Sequence, residues 1–203
     1  MTKYPALEVK RKSGKEVFHI EGKPLDQNLL SFWQWSSSDL ISNAMRGILA
    51  EYIVASALGE NYSHRSEWDA YDIETKEGIK IEVKSSAFIQ TWHQKSLSSI
   101  QFSIRPTISW GAQTNSRSTK IVRQADVYVF CLLTHKEQDT IDPLNVNQWL
   151  FYILSSDELN QSVGAQKTIV LSSLLRLNPI TATYLELPSA IEKSANKAVK
   201  NRP

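Results

Sequence analysis

Asp72, Glu82 and Lys84 are the residues of this chain whose types and spacing can do chemistry. Ile79 to Lys84 alternates apolar and polar, so it reads as a strand with Ile79, Ile81 and Val83 on a buried side and Glu82 and Lys84 on the other. Asp72 to Thr75 reads as its hairpin partner. Lys76-Glu77-Gly78 between them suits a type I turn closed by a glycine bulge. That loop sets Ile73 across from Ile81 and Glu74 across from Lys80, an apolar pair and an opposite-charge pair. The same register sets Asp72 across from Glu82, and facing carboxylates repel. A divalent cation between them turns the repulsion into a binding site. Hard carboxylate oxygens suit Mg²⁺, with Mn²⁺ as a substitute, and water and phosphate fill its remaining positions. A lysine beside such an ion can hold water and balance charge on a pentavalent phosphate. The chemistry implied is metal-assisted hydrolysis of a phosphodiester.

The Glu-x-Lys triplet alone carries little weight. It also occurs at Glu8-Val9-Lys10, Glu21-Gly22-Lys23 and Glu74-Thr75-Lys76. What singles out Glu82-Val83-Lys84 is the aspartate on a hairpin partner and an element upstream. From Leu40 to Leu58 apolar residues recur with helical spacing at Ile41, Ala44, Ile48, Tyr52 and Ala55, and Gly59 stands where a left-handed C-cap belongs. Ser36 to Asp39 offers the N-caps. Glu51 falls on that stripe, and an inward carboxylate needs a partner, a metal or a polar cavity.

The other elements frame this centre. Leu7 to Ile20 reads as two short strands joined at Ser13-Gly14. Ile100–Arg105, Val127–Leu133 and Trp149–Leu154 read as strands. A short helix opens at Asp157, Thr168–Leu171 reads as a last strand with a short helix after it, and the capping-box spacing at Ser189 starts a C-terminal helix. The fold class expected is α/β, layered around a mixed sheet.

The segments Arg46-Gly47-Ile48-Leu49-Ala50-Glu51, Trp68-Asp69-Ala70-Tyr71-Asp72 and Ile81-Glu82-Val83-Lys84-Ser85-Ser86 together resemble the core of the PD-(D/E)XK nucleases, a superfamily of restriction endonucleases and Holliday-junction resolvases. Among these the chain looks most like uncharacterised stand-alone bacterial members. The resemblance implies a restriction endonuclease-like α/β/α sandwich as one domain over residues 1–203, with an N-terminal hairpin (1–24), a catalytic core region (39–94) and a C-terminal helix and basic tail (189–203). It implies Mg²⁺ held by Asp72, Glu82, the Val83 carbonyl and Glu51. Lys84 would assist the attacking water, and cleavage of DNA would leave a 5′-phosphate. Tyr71 stands where the motif's name has proline. Asp69 is a rival for Asp72, off the strand start.

Candidates for nucleic-acid contact lie further on. Ser86 continues the alternation beyond Lys84, and Gln90 follows it. Arg105, Arg117, Lys120 and Arg123 lie with Trp110 in a long Ser- and Thr-rich stretch that reads as a functional loop. Trp33, Trp35 and Trp68 read as packing residues. The four histidines lack ligand spacing, and there is neither a nucleophile elbow nor an NTPase phosphate loop. The lone Cys131 reads as a buried hydrophobe. A net charge of +2 with pI near 8.6 is only mildly basic. No apolar run approaches the ~20 residues of a membrane span. A cytoplasmic protein acting on DNA, as monomer or homodimer, is the expectation. Two alternatives stay open: a silent nucleic-acid-binding protein of the same fold, and an enzyme for RNA or branched DNA.

Overall fold

The computed structural model describes residues 4, 6–61, 64–66, 69–111 and 116–200, and the side chains of these except at 109–111, 116–118 and 198–200. In chain order the elements are β1 (Val17–Ile20), β2 (Lys23–Asn28), α1 (Leu29–Ser37), α2 (Asn43–Leu58), β3 (Ile73–Glu74), β4 (Lys80–Ala87), β5 (Gln101–Ser103), β6 (Thr107–Gly111), β7 (Ser116–Val122), β8 (Val127–Leu133), β9 (Trp149–Ser155), α3 (Ser156–Val163), β10 (Thr168–Val170), α4 (Leu171–Arg176), β11 (Ile180–Ala182) and α5 (Leu187–Lys200).

Val127–Leu133 is a short unbroken apolar run, the pattern of a strand covered on both faces. It forms β8, with every residue buried, at the middle of a five-stranded sheet ordered β11-β9-β8-β4-β3. β4 runs parallel to β8, and the other neighbours are antiparallel, so the sheet is mixed. One face, with Ile81, Val83, Val129 and Ile153, packs under Ala50, Ile53 and Val54 of α2 and Leu187 and Ile191 of α5. The other, with Phe130, Leu132 and Leu154, packs under Phe102, Leu159, Ile169 and Leu174. There the Phe102 and Phe130 rings meet edge-on at 5.2 Å, worth about 0.5–1.5 kcal/mol beyond the area they bury. This is the α/β sandwich the pattern predicts. Cys131 lies buried inside β8 with a free thiol.

Several boundaries differ from expectation. The N-terminal hairpin turns at Glu21-Gly22, not Ser13-Gly14. Both turn residues have positive φ (49° and 76°), the mirror-image two-residue turn that suits strand twist. The N-cap of α2 is Ser42, whose hydroxyl accepts from the Met45 amide; α1 occupies residues up to Ser37, where the cap was expected. Gly59 closes α2 at φ 71°, its amide on the carbonyls of Ala55 and Ser56. The expected stripe on this helix is wrong: Ala44, Ile48 and Tyr52 are exposed, and Arg46, Ala50, Ile53 and Val54 are buried. The capping box near the C-terminus is Thr183 with Glu186, one turn before α5.

The long loop is a hairpin, β6 with β7. Trp33 and Trp35 do not pack into the core. α1 buries no residue, and Trp35 is 84 % exposed beside Phe18, Leu25 and Phe32 in an apolar groove. Trp68 lies outside the described residues.

Candidate active site

The turn after β3 forms as its glycine requires. The Thr75 carbonyl accepts from the Gly78 amide at 2.8 Å, Gly78 has φ 81°, and the Thr75 amide donates to Ile79 at 3.0 Å. Ile73 then pairs with Ile81 and Glu74 with Lys80. The ladder stops there. Asp72 lies one residue beyond, its amide on the Ile81 carbonyl at 3.0 Å, and its carboxylate swings over to accept the Val83 amide at 2.7 Å. So Asp72 does not complete a flat ladder pair with Glu82. It caps the β4 edge where β3 ends.

Two consequences follow. A residue's N–H and C=O point to the same edge of a strand, so the Val83 carbonyl faces the edge that Asp72 caps. Glu82 and Lys84, on alternate positions, share the side that faces Tyr128 and Phe130 of β8. The Lys84 ammonium contacts the Glu82 carboxylate, with side chains 28 % and 21 % exposed. Glu51, half-buried on α2, lies near enough to interact with the charges of Asp72 and Lys84, and is paired with Arg65, whose second nitrogen lies 3.0 Å from it.

The electrostatics tie these groups together. Burial raises the pKa of Glu82, and the charges of Asp72 and Glu51 add to the rise while Lys84 opposes it. Burial likewise raises Glu51, with Arg65 pulling it down and Asp72 pushing it up. Burial alone would lower Lys84, but Glu82, Asp72 and Glu51 outweigh it and raise its pKa, so it stays charged. Three carboxylates face two cations in a poorly hydrated corner. Among the described residues no group of three or more acidic, histidine or cysteine side chains is placed to hold a metal ion. Two carboxylates, Asp72 and Glu82, and a carbonyl have the donor chemistry of a hard cation that takes water and phosphate for the rest of its shell.

A family model described as bacteriophage T4 endonuclease IV matches residues 2–173. The chain belongs to this endonuclease family. Comparisons with curated proteins and with solved structures return no match.

For this endonuclease IV-family chain, the outlying candidates divide. Arg105 and Lys120 are exposed, and Arg117 lies on β7 opposite the backbone of Trp110. Arg123 is turned inward, 7 % exposed, its guanidinium held by the carbonyls of Ile104, Gly164 and Gln166 and by Asn160. It offers no face to a phosphate. Ser86 and Gln90 are buried; Gln90 donates to the Ala87 carbonyl and accepts from Arg46. Arg65 escaped the sequence reading because its segment has no periodicity. Asp69, the rival, is exposed beyond the end of β3.

The raised pKa of Glu82 has a testable sign. An acid whose folded value exceeds the ordinary 4.5 stabilises the fold fully only below about that pH and loses this contribution as pH rises through the folded value. In metal-free buffer Glu82→Gln is therefore expected to gain on wild type as pH climbs from about 4 to 8. Thermal melts of both proteins across that range measure it. A pH-independent difference would mean Glu82 is not strained.

Proposed function

We propose that this protein is a divalent-metal-dependent endonuclease of the PD-(D/E)XK type that hydrolyses phosphodiester bonds in DNA. The observation that carries the reading is the meeting of Asp72, Glu82, Glu51 and Lys84 at the edge of β4, where β3 ends. Membership of an endonuclease family supports it from a separate direction. Asp72, Glu82 and the Val83 carbonyl are the groups to hold Mg²⁺ or Mn²⁺, and Glu51 completes the shell directly or through water. A bound cation there supplies a Lewis acid for the phosphate oxygen and a more acidic water.

The rest falls to the chain's own residues. Lys84 holds the water against the phosphorus and offsets charge on the developing pentavalent phosphate. Asp72 is fixed by the Val83 amide through one oxygen, which leaves its other oxygen to the cation. Arg65 holds Glu51 in place when no cation competes for it.

The test is cleavage of plasmid, single-stranded and branched DNA with Mg²⁺ or Mn²⁺, beside calorimetric Mn²⁺ binding, on wild type and Asp72→Ala. Wild type is expected to cut and to bind the ion, and Asp72→Ala to lose both. Undiminished Mn²⁺ affinity in the variant would move the centre to other acids, Asp69 first. A wild type that binds no divalent ion would overturn the reading.

A further inference from the structure

Tyr128 is left over by the chemistry above. It stands on β8 in parallel register with Glu82, and residues paired across a ladder carry their side chains on one face of the sheet. Neighbouring strands lie about 4.8 Å apart, so Tyr128 is the lateral neighbour of a candidate metal ligand. Its ring belongs to the core with Phe102 and Leu159 and stacks on Phe130, centroids 6.0 Å apart and planes at 28°. Packing accounts for the ring and not for the hydroxyl. The residue is 3 % exposed, yet among the described residues its oxygen neither donates nor accepts a hydrogen bond, and that oxygen is not sealed from solvent. Buried tyrosines usually give their O–H a partner, because a hydrogen bond left unmade is costly. Here the polar end of a buried side chain stands open and unused.

The hydroxyl belongs to the acidic corner. Burial raises its pKa most, the charges of Glu82 and Asp72 add to the rise, and Arg123 opposes it, so the group keeps its proton as a neutral donor. Arg123 itself is committed to three carbonyls and the Asn160 side chain. Tyr152, the other buried tyrosine of that core, pairs with Phe130 from β9, and burial alone raises its pKa. The corner is otherwise rich in acceptors, and its two cations are engaged, Lys84 with Glu82 and Arg65 with Glu51. A phosphodiester adds further oxygen acceptors. An unused O–H meets them without adding a charge that competes with a metal ion.

We propose that the Tyr128 hydroxyl donates a hydrogen bond to a non-bridging oxygen of the scissile phosphate, as a further catalytic residue of the centre. The inference rests on the cleavage centre proposed above at Asp72, Glu82 and Lys84. Charge builds on the phosphate oxygens in the pentavalent transition state, so the bond tightens there and acts on the rate more than on binding. The fold makes no use of the hydroxyl, so Tyr128→Phe should melt no lower than about 2 °C below wild type.

The experiment measures single-turnover cleavage of a saturating oligonucleotide in Mn²⁺ by wild type, Tyr128→Phe and Tyr152→Phe, with Mn²⁺ affinity and Tm for each. Tyr128→Phe is expected to cut about 30-fold slower with its Mn²⁺ affinity within about 2-fold of wild type, and Tyr152→Phe to cut within about 2-fold. Oligonucleotides with a phosphorothioate of either hand at the mapped bond then report the contact. Sulfur accepts hydrogen bonds poorly, so one hand should slow wild type about 10-fold more than it slows Tyr128→Phe. A Tyr128→Phe rate within about 3-fold of wild type overturns the inference and leaves the nuclease reading standing. A slow variant with wild-type sulfur effects places the hydroxyl on something other than the phosphate, and one with weakened Mn²⁺ binding or a lowered Tm makes it part of the site's assembly; either overturns the inference. A wild type that cuts none of the substrates sinks the nuclease reading itself, and the role of Tyr128 with it.

Discussion

Lys84→Ala is expected to lower the single-turnover cleavage rate about 10³-fold while leaving the circular dichroism unchanged, within the ~10²–10⁴ that positioned proton-transfer groups contribute. The side chain lies at the open corner of the site, 28 % exposed, so its removal leaves no core cavity. Part of the loss would be indirect. Lys84 holds down the pKa of Glu82, and without it that carboxyl, already raised by burial, rises further. The residual rate of the alanine variant should therefore climb with pH more steeply than the wild-type rate, as Glu82 deprotonates. Lys84→Arg separates the two effects. It restores a positive charge, and with it the pH profile, but its planar fork cannot take the place of a compact ammonium against a water. The rate is expected to stay low. Rates of all three proteins between pH 6 and 9 decide it. A rate for Lys84→Ala within about 10-fold of wild type would place proton transfer elsewhere.

The candidate centre could be read from the sequence because its determinants are local. A glycine at the end of a three-residue loop fixes the register of β3 against β4, and a period of two then places Glu82 and Lys84 on one side. The same holds for β8, whose bounds coincide with its apolar run, Val127–Leu133. Asp72 shows where the local rule ends. Register arithmetic carries the ladder one pair too far, because a carboxylate that can accept the Val83 amide competes with main-chain pairing.

The face of α2 was illegible for a non-local reason. Two stripes compete on that helix. One, with Ile48 and Tyr52, faces out, and the one against the sheet, with Ala50, Ile53 and Val54, is disguised by a buried arginine, Arg46, at its start. Small Ala50 lets the helix lie close on the sheet, and that preference exists only once the sheet does. Glu51 reaches the centre from the border between the two stripes. Likewise β6 and β7 carry too little alternation to announce a hairpin, so a basic stretch read as a loop for nucleic acid.

Arg123, read from sequence as part of that loop, gives the other large expected effect, and it is on stability. Arg123→Ala strands the carbonyls of Ile104, Gly164 and Gln166 and the Asn160 side chain, all served by one guanidinium. Burial lowers the pKa of that guanidinium, so part of the interaction energy is already offset by lost hydration. A net loss of about 3 kcal/mol is the central expectation for uncovering several acceptors of one buried cation. For a chain of this length that is a fall in Tm of roughly 6–12 °C. Arg123→Lys should recover little, since one ammonium cannot span acceptors on β5's flank, the end of α3 and the loop beyond it. Oligonucleotide affinity measured well below the melting range should stay within about 2-fold of wild type, and its salt slope should not change, because no phosphate contact is removed. Arg105→Ala and Lys120→Ala, on exposed positions of the same stretch, are the controls and should leave Tm within about 1 °C. A variant at Arg123 that melts like wild type but loses a unit of salt slope would return that arginine to the nucleic-acid surface.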